Sequence, residues 1–510
     1  MNQDVPGSSR LPRGLKESLV VGMLCLCAIA RCLIYSAALP FFNNSDEDAH
    51  FDMVVRFSQG SPPHGQGPFT DESRHFLVHY ASLEYFGTPR HIEEGKVPPP
   101  LWEQTPAARA AQIQHYDATS KMMTNHEAAQ TPLYYAMAGS YWRLGRALRL
   151  KPYLLLYGIR FLNAFILGAT VWLGYVVART VFPDRLFIRL GVPALLAFMP
   201  QSVFFVIEND VLSPITFGLV FLYMVRWLRG EVLTQGLAVN IGCALAALFL
   251  TKLSNLPQLT LAVGIVALQT SKMSKTGALR PQFPALALLI LCAVIPALSW
   301  MAWTKHAFGD FLGAAAKIEY LGWTPKPLGE CHQHPIFTVT GLCTFFTHLL
   351  GSFWQGELFW HGEHLAPLSM AIFYAVLTFC LVGLAVAGLC LRKSTLEPSQ
   401  RLILWWSLGS VLAGVAFLAI LSMLYDFHDC PYPSRQFPYF TNGRLIIGTL
   451  IPFALVCLFG IDQVAKRSNT KWVAPALLVS LILFMFISEI VIQLPVFLSR
   501  FNLYHALPHI

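Results

Sequence analysis

"SLVVGMLCLCAIARCLIYSAALPFFNNSDEDAHF", residues 18–51, decides how the chain must be read. Its first part, Ser18 to Pro40, is an apolar run long enough to cross a bilayer, which takes about 20 residues. Its second part ends in Asp46, Glu47 and Asp48, followed by His50 and Asp52. Charge therefore returns as soon as the hydrocarbon would end. The run is too long for a cleavable leader and lacks a small-residue cleavage site, so it reads as a signal anchor. Similar apolar runs recur along the chain. Of its 510 residues, 55% are hydrophobic and 13% charged, against about 25% charged in soluble domains. The mean hydropathy is +0.51. Composition thus defines an all-α polytopic membrane protein.

The net charge of +8 is no nucleic-acid signal. Lys and Arg cluster between apolar runs, as in cytoplasmic loops: Arg10/Arg13/Lys16, Arg179/Arg185/Arg189, Arg226/Arg229, Lys272/Lys275/Arg280, Arg392/Lys393/Arg401 and Lys466/Arg467/Lys471. One threading puts all six inside, with residues 1–16 cytoplasmic and about eleven spans near 17–40, 153–178, 190–207, 211–228, 236–250, 256–270, 284–303, 367–391, 402–425, 445–463 and 472–497. Residues 41–152, the turns 207–214 and 251–255, the loops 304–366 and 425–444, and the tail 498–510 then lie outside. Two further apolar stretches, 131–150 and 337–354, read as amphipathic helices at the outer interface, and 60–130 as short helices over it. Most of the eleven cysteines fall inside apolar runs, where they act as small hydrophobes. No CxxC pair supports zinc or redox chemistry. Cys331, Cys343 and Cys430 fall in or near polar loops, where a disulfide and free thiols are equally open.

Every unusual polar cluster falls on the outer face. Close carboxylates at 46–52 raise one another's proton affinity, which suits a general base, although a solvated acidic loop is the plainer reading. In "NHEAAQTPLYY", Thr131 and Pro132 read as a helix start, which leaves His126 and Glu127 unexplained. In "VIENDVLSP", Asp210 reads as a helix cap beside Glu208. Lys252, alone in "LFLTKLSNLP", is a snorkelling lysine or a partner for an anion. Arg444 opens a span from outside, and arginine suits bidentate phosphate contact. Together these residues offer a base, cations for a phosphate, and a membrane for a lipid tail.

The ordered set "DEDAHF" (46–51), "HEAAQTPLYYAMAG" (126–139), "VARTVFPD" (177–184), "MPQSVFFVIEND" (199–210), "LFLTKLSNL" (248–256) and "TNGRLIIGTLIP" (441–452) resembles the GT-C superfamily of polyprenyl-phosphate-dependent glycosyltransferases. That superfamily includes the protein O-mannosyltransferases and aminoarabinose transferases. The resemblance runs from residue 15 to about 460. It departs at Thr131-Pro132, where relatives carry a double proline, and at Leu445, where they carry tyrosine.

The resemblance implies a GT-C-like fold and inverting sugar transfer on the periplasmic or lumenal face, in a bacterial inner membrane by motif order. Asp46 would be the base and Glu47 its assistant. Lys252, Arg444 and His126 would bind the donor phosphate, with His50, Asp210 and Glu208 contacting substrate and Asp48 a bystander. The partners implied are a polyprenyl-phosphate sugar donor, a glycan, lipid or protein acceptor, and membrane lipids, with no nucleic acid. No cofactor is required, and a divalent cation held by Asp46, Glu47 and Asp210 is compatible. The competing reading is a transporter or flippase of a lipid-linked or anionic substrate. Transport calls for charges near mid-span, and only Arg31 and Arg160 stand out there.

Overall fold

The computed structural model describes residues 13–43, 46–82, 99–360, 363–390, 396–468 and 470–507. The elements are α1 (Arg13–Ala38), α2 (Glu47–Ser58), α3 (Asp71–Tyr80), α4 (Pro106–Ser120), α5 (Leu133–Ala147), α6 (Pro152–Val181), α7 (Leu186–Phe198), α8 (Ser213–Leu228), α9 (Gln235–Thr251), α10 (Leu256–Lys275) and α11 (Leu279–Phe308). Then follow α12 (Ala314–Tyr320), α13 (Val339–Gln355), α14 (Leu368–Cys390), α15 (Pro398–Leu424), α16 (Leu450–Ser468), α17 (Val473–Phe497) and α18 (Leu503–Ala506). Each of the eleven apolar segments contains a helix. Among the described residues, eight helices are long and apolar enough to cross a membrane, and α7 and α9 are shorter apolar helices. The only strands described are two ladders of two-residue strands, Thr324–Pro325 with Tyr425–Asp426 and Phe359–Trp360 with Glu363–His364.

Apolar periodicity makes these segments helical, and local signals set where they start. Proline sits in the first turn of α6, α8, α10 and α15, where its missing N–H costs nothing. Glu397 and Gln400 form a capping box at α15, satisfying two orphan donors. The bundle packs α1 along α6, α14 along α16, and α9 along α11. The apolar stretch Gly443–Arg467, which runs into α16, is 89% buried, against 17% for α11. The segment carrying Arg444 therefore enters at the centre of the bundle, while α11 lies at its edge.

The two ends of the bundle differ. At one end lie the start of α1, the ends of α6 and α8, and the α16 terminus. Ion pairs tie the α7 and α6–α7 segments to α1 and α16, with Arg189–Glu17 at 2.7 Å and Arg185–Asp462 at 3.0 Å, and Arg226–Glu231 at 2.7 Å closes the end of α8 on itself. Arg10, Arg392 and Lys393 lie outside the described residues. The other end gathers the long loops. There α2 and α5 pack together, with Trp142 buried against Phe51 and Phe76. Thr131 does not cap α5: Pro132 holds the cap position, and the Thr131 hydroxyl has no partner. Cys331, Cys343 and Cys430 are free thiols.

Candidate functional site

The chain leaves α1 through an abrupt turn. Asp46 precedes α2 with φ of 66°, a left-handed conformation that Asp tolerates better than most residues. Its side chain does not cap the helix. It turns instead toward two partners brought from far along the chain: His126 Nε2 lies 3.1 Å from Oδ1, and Arg444 Nη2 donates to Oδ2 at 2.9 Å. Arg444 also pairs with Glu208. Lys252, at the end of α9, pairs with Asp210, so Asp210 is an ion-pair partner and not the cap of α8. His126 lies 3.5 Å from Glu127, which pairs with Lys317. Gln130 donates to Glu127 and accepts from Asn209 Nδ2 at 3.1 Å.

The outcome is a cluster of four carboxylates (Asp46, Glu127, Glu208, Asp210), three cations (Arg444, Lys252, Lys317) and an imidazole, in which the Asp210–Lys252 pair is linked to Asp46 and Glu127 through charge. Burial alone would raise the Asp46 carboxyl. The hydrogen bond from His126 and the charges of Arg444 and Lys317 outweigh it and hold Asp46 well below the usual carboxylate range, the reverse of the rise expected from crowding among the acids of 46–52. Burial lowers His126, but its bond to Asp46 and the charge of Glu127 overcome that and raise it. An imidazolium at 126 balances the four acids against the three fixed cations. Burial likewise opposes ionisation of Glu127, and Lys317 and His126 reverse it.

Glu47 is not in this network. Its carboxylate is fully buried and accepts from Arg160 Nε at 2.8 Å, Arg160 Nη2 at 2.7 Å, Phe42 N at 2.8 Å and Ile207 N at 3.0 Å. Arg160 in turn donates to the carbonyls of Ser36, Leu39 and Pro40 and stacks over Phe41. Glu47 thus joins the end of α1 to α6 and to the turn at 207, with no oxygen left for an acceptor. A cation on Asp46, Glu47 and Asp210 does not fit, because Glu47 is spent on Arg160 and Asp210 already faces Lys252. Asp46, His126 and Glu127 bring ligand atoms within 4.8 Å of one another, but His126 Nε2 is spent on Asp46 Oδ1 and Lys317 already occupies Glu127 Oε1. His50 is also apart. Its Nδ1 lies 2.6 Å from the Tyr135 hydroxyl in the packing between α2 and α5, and burial pushes it down to about 3, so the ring is neutral. Burial and the nearby Asp46 charge push Asp48 up to about 6, against a hydrogen bond from the Ala49 N–H and the charge of His126.

Sequence reading passed over Lys317 and Glu357. Asp310 accepts from the N–H groups of Leu312, Gly313, Ala314 and Ala315, which starts the short α12 and delivers Lys317 to Glu127. Tyr320, from the same helix, lies parallel to the His126 ring with centroids 5.9 Å apart. Lys317 is one of three lysines in the loop 304–366, with Lys305 and Lys326, and nothing local in the sequence marks it out from the other two.

Several buried polar atoms of the site have no partner: Glu208 Oε2, Asn209 Oδ1, Asp210 Oδ1, Glu357 Oε1 and Arg444 Nε. Buried polar groups are nearly always satisfied; such orphans also occur elsewhere, as at Gln258 Oε1 and Glu489 Oε2, and those beside the ion pairs leave polar atoms there able to take a further partner.

Fold and site together define the class, a polytopic helical membrane protein with a buried polar network at one end of its bundle. Residues 32–425 match the model of the family described as predicted membrane protein (DUF2142), and the chain belongs to that family. No curated protein matches it.

Proposed function

We propose that this protein is an integral membrane glycosyltransferase that moves a sugar from a polyprenyl-phosphate donor to an acceptor hydroxyl with inversion, at the outer face of a bacterial inner membrane. One observation carries the reading: the Asp46 carboxylate lies 2.9 Å from Arg444 and 3.1 Å from His126. A base and a phosphate cation thereby share a hydrogen bond, at the end of the bundle that also gathers Lys252 and Lys317.

The pairing suits the charge flow of the reaction. The acceptor hydroxyl gives its proton to Asp46 as its oxygen bonds to the anomeric carbon. Neutralised, Asp46 no longer holds Arg444. The guanidinium is then free for the phosphate oxygen that leaves with the bonding electron pair, in the dry site where such stabilisation is strongest. Lys252, released in part from Asp210, adds to it. His126 orients Asp46 and shares the proton. Glu208 and Asp210, with their unpartnered oxygens, can accept from sugar hydroxyls.

The transport reading is weaker. Arg31 is engaged by Glu489 and by the carbonyls of Ala197 and Met199, and Arg160 by Glu47. Neither charge faces an open path. The test is release and transfer of sugar from polyprenyl-phosphate sugars by purified wild type and Asp46→Asn protein, where wild type should turn over and the variant fall to background. A wild type that transfers nothing from such donors, yet moves a lipid-linked substrate across liposomes, would overturn the assignment.

A further inference from the structure

The loop after α13, "QGELFW" (355–360), carries a carboxyl with one oxygen occupied and one free. Glu357 Oε2 accepts from Asn442 Nδ2 at 2.6 Å, and the Glu357 N–H donates to Ser202 Oγ at 3.2 Å. Oε1 is buried and has no partner. Two glycines hold it there. Gly356 has φ of 77°, and a Cβ on it would lie 2.0 Å from Ser202 Oγ and 2.6 Å from Ser202 N. A Cβ on Gly443 would lie 2.1 Å from Phe353 N. Only glycine lets these backbones approach so closely. Segments 352–357 and 441–444 are therefore locked side by side, and the residue after Gly443 is Arg444. Glu357 is fixed one hydrogen bond and two peptide units from the backbone of Arg444, the residue assigned to the phosphate.

We propose that Glu357 is a further catalytic residue, whose free oxygen donates a hydrogen bond to the phosphate of the lipid donor. The inference rests on the glycosyltransferase reading and adds a third kind of phosphate contact to it. The cations of the site are already matched by carboxylates, so a donor that brings no charge strengthens phosphate binding without unbalancing the network. An ionised Glu357 would repel the phosphate, and the environment opposes that form. Burial pushes its carboxyl up to about 8, and the charges of Asp210 and Asp46 add to burial against the hydrogen bond from Asn442. Tyr432 is the other titratable side chain near it. Asp46 and Glu357 are thus pushed in opposite directions, the pattern that separates a base from an acid in one site.

In the step, the acceptor O–H proton goes to Asp46 and the acceptor oxygen bonds to the anomeric carbon. The bond from that carbon to the phosphate oxygen breaks, and its electron pair stays on the phosphate. Glu357 keeps its proton and shares it in a hydrogen bond that shortens as charge grows.

The test uses the full-length detergent-purified protein as wild type, Glu357→Gln and Glu357→Ala. Binding of a polyprenyl phosphate is measured from pH 6 to 9, together with turnover of a sugar donor that the wild type uses. Glutamine can keep the bond from Asn442 and donate from the other position at every pH. Wild-type binding should weaken as pH rises through about 8. Glu357→Gln should bind within about threefold of wild type at pH 7 and lose that alkaline limb. Glu357→Ala should bind and turn over about tenfold or more less well at neutral pH, the scale of a lost hydrogen bond to a charged group. If Glu357→Gln fails like Glu357→Ala while wild type is active, Glu357 works as a carboxylate and the proposal is overturned. The same holds if wild type shows no alkaline limb. A wild type that neither binds polyprenyl phosphate nor transfers sugar removes the parent reading as well, a different result.

Discussion

Around Glu47 every oxygen is matched, whereas around Asp46 several neighbouring atoms are not. The two residues are adjacent, yet they belong to different regions. Glu47 closes a fully buried pair with Arg160 that pins α1, α6 and the turn at 207. Asp46 opens onto a network in which Arg444, Glu208 and Asp210 each keep an unpartnered polar atom. A buried ion pair with all its hydrogen bonds made is part of the scaffold. A buried network with orphans holds capacity in reserve, and reserve capacity is what a ligand uses.

The comparison can be broken most sharply at Asp46. Asp46→Asn should lower kcat roughly 10²- to 10⁴-fold, the usual contribution of a positioned base, and lower the thermal unfolding midpoint less than Glu47→Ala does, because Glu208 still pairs Arg444. Activity assays and unfolding curves on one preparation check both halves. Glu47→Ala should do the reverse: it strands the Arg160 charge in an apolar interior, a loss of roughly 3–5 kcal/mol, read as a collapse in folded yield or midpoint. A stable Glu47→Ala protein that has lost only transfer would move Glu47 into the site.

Gly443→Ala comes next. Its new Cβ meets backbone at Phe353, so Arg444 must shift, at roughly 1–3 kcal/mol for overpacking. Transfer should suffer more than stability, because the displaced group is the cation proposed for the phosphate. Equal losses in both would make the contact between Gly443 and Phe353 merely structural.

The smallest effect is a pH dependence. His126 is raised above 6.5 in the folded state, so its stabilising bond to Asp46 is fully present below the unfolded value. The bond is lost as pH rises through the folded value. Wild type should lose some stability going alkaline beyond pH 6.5, and His126→Gln should lose less over the same range. Identical slopes would remove His126 as a charged partner of Asp46.

Much of the site was legible in the chain. Asp46, His126, Glu208, Asp210, Lys252 and Arg444 stand out in sequence, and the fold brings all six together. The parting of Asp46 from Glu47 was not legible. It depends on the left-handed turn at Asp46, which aims two neighbouring side chains in different directions. The commitment of Lys252 and Arg444 to carboxylates was hidden too, since ion pairs 42 and 398 residues apart leave no local trace.

By itself, the sequence determined the helical membrane class, the order of the apolar segments and the concentration of unusual polar residues in one set of loops. Hydropathy and charge are local properties that a bilayer reads segment by segment. Tertiary structure alone decided which charges neutralise one another, which carboxylate became scaffold, and that Lys317 and Glu357 stand beside the site. Those outcomes depend on which helix ends meet, and packing determines that across hundreds of residues.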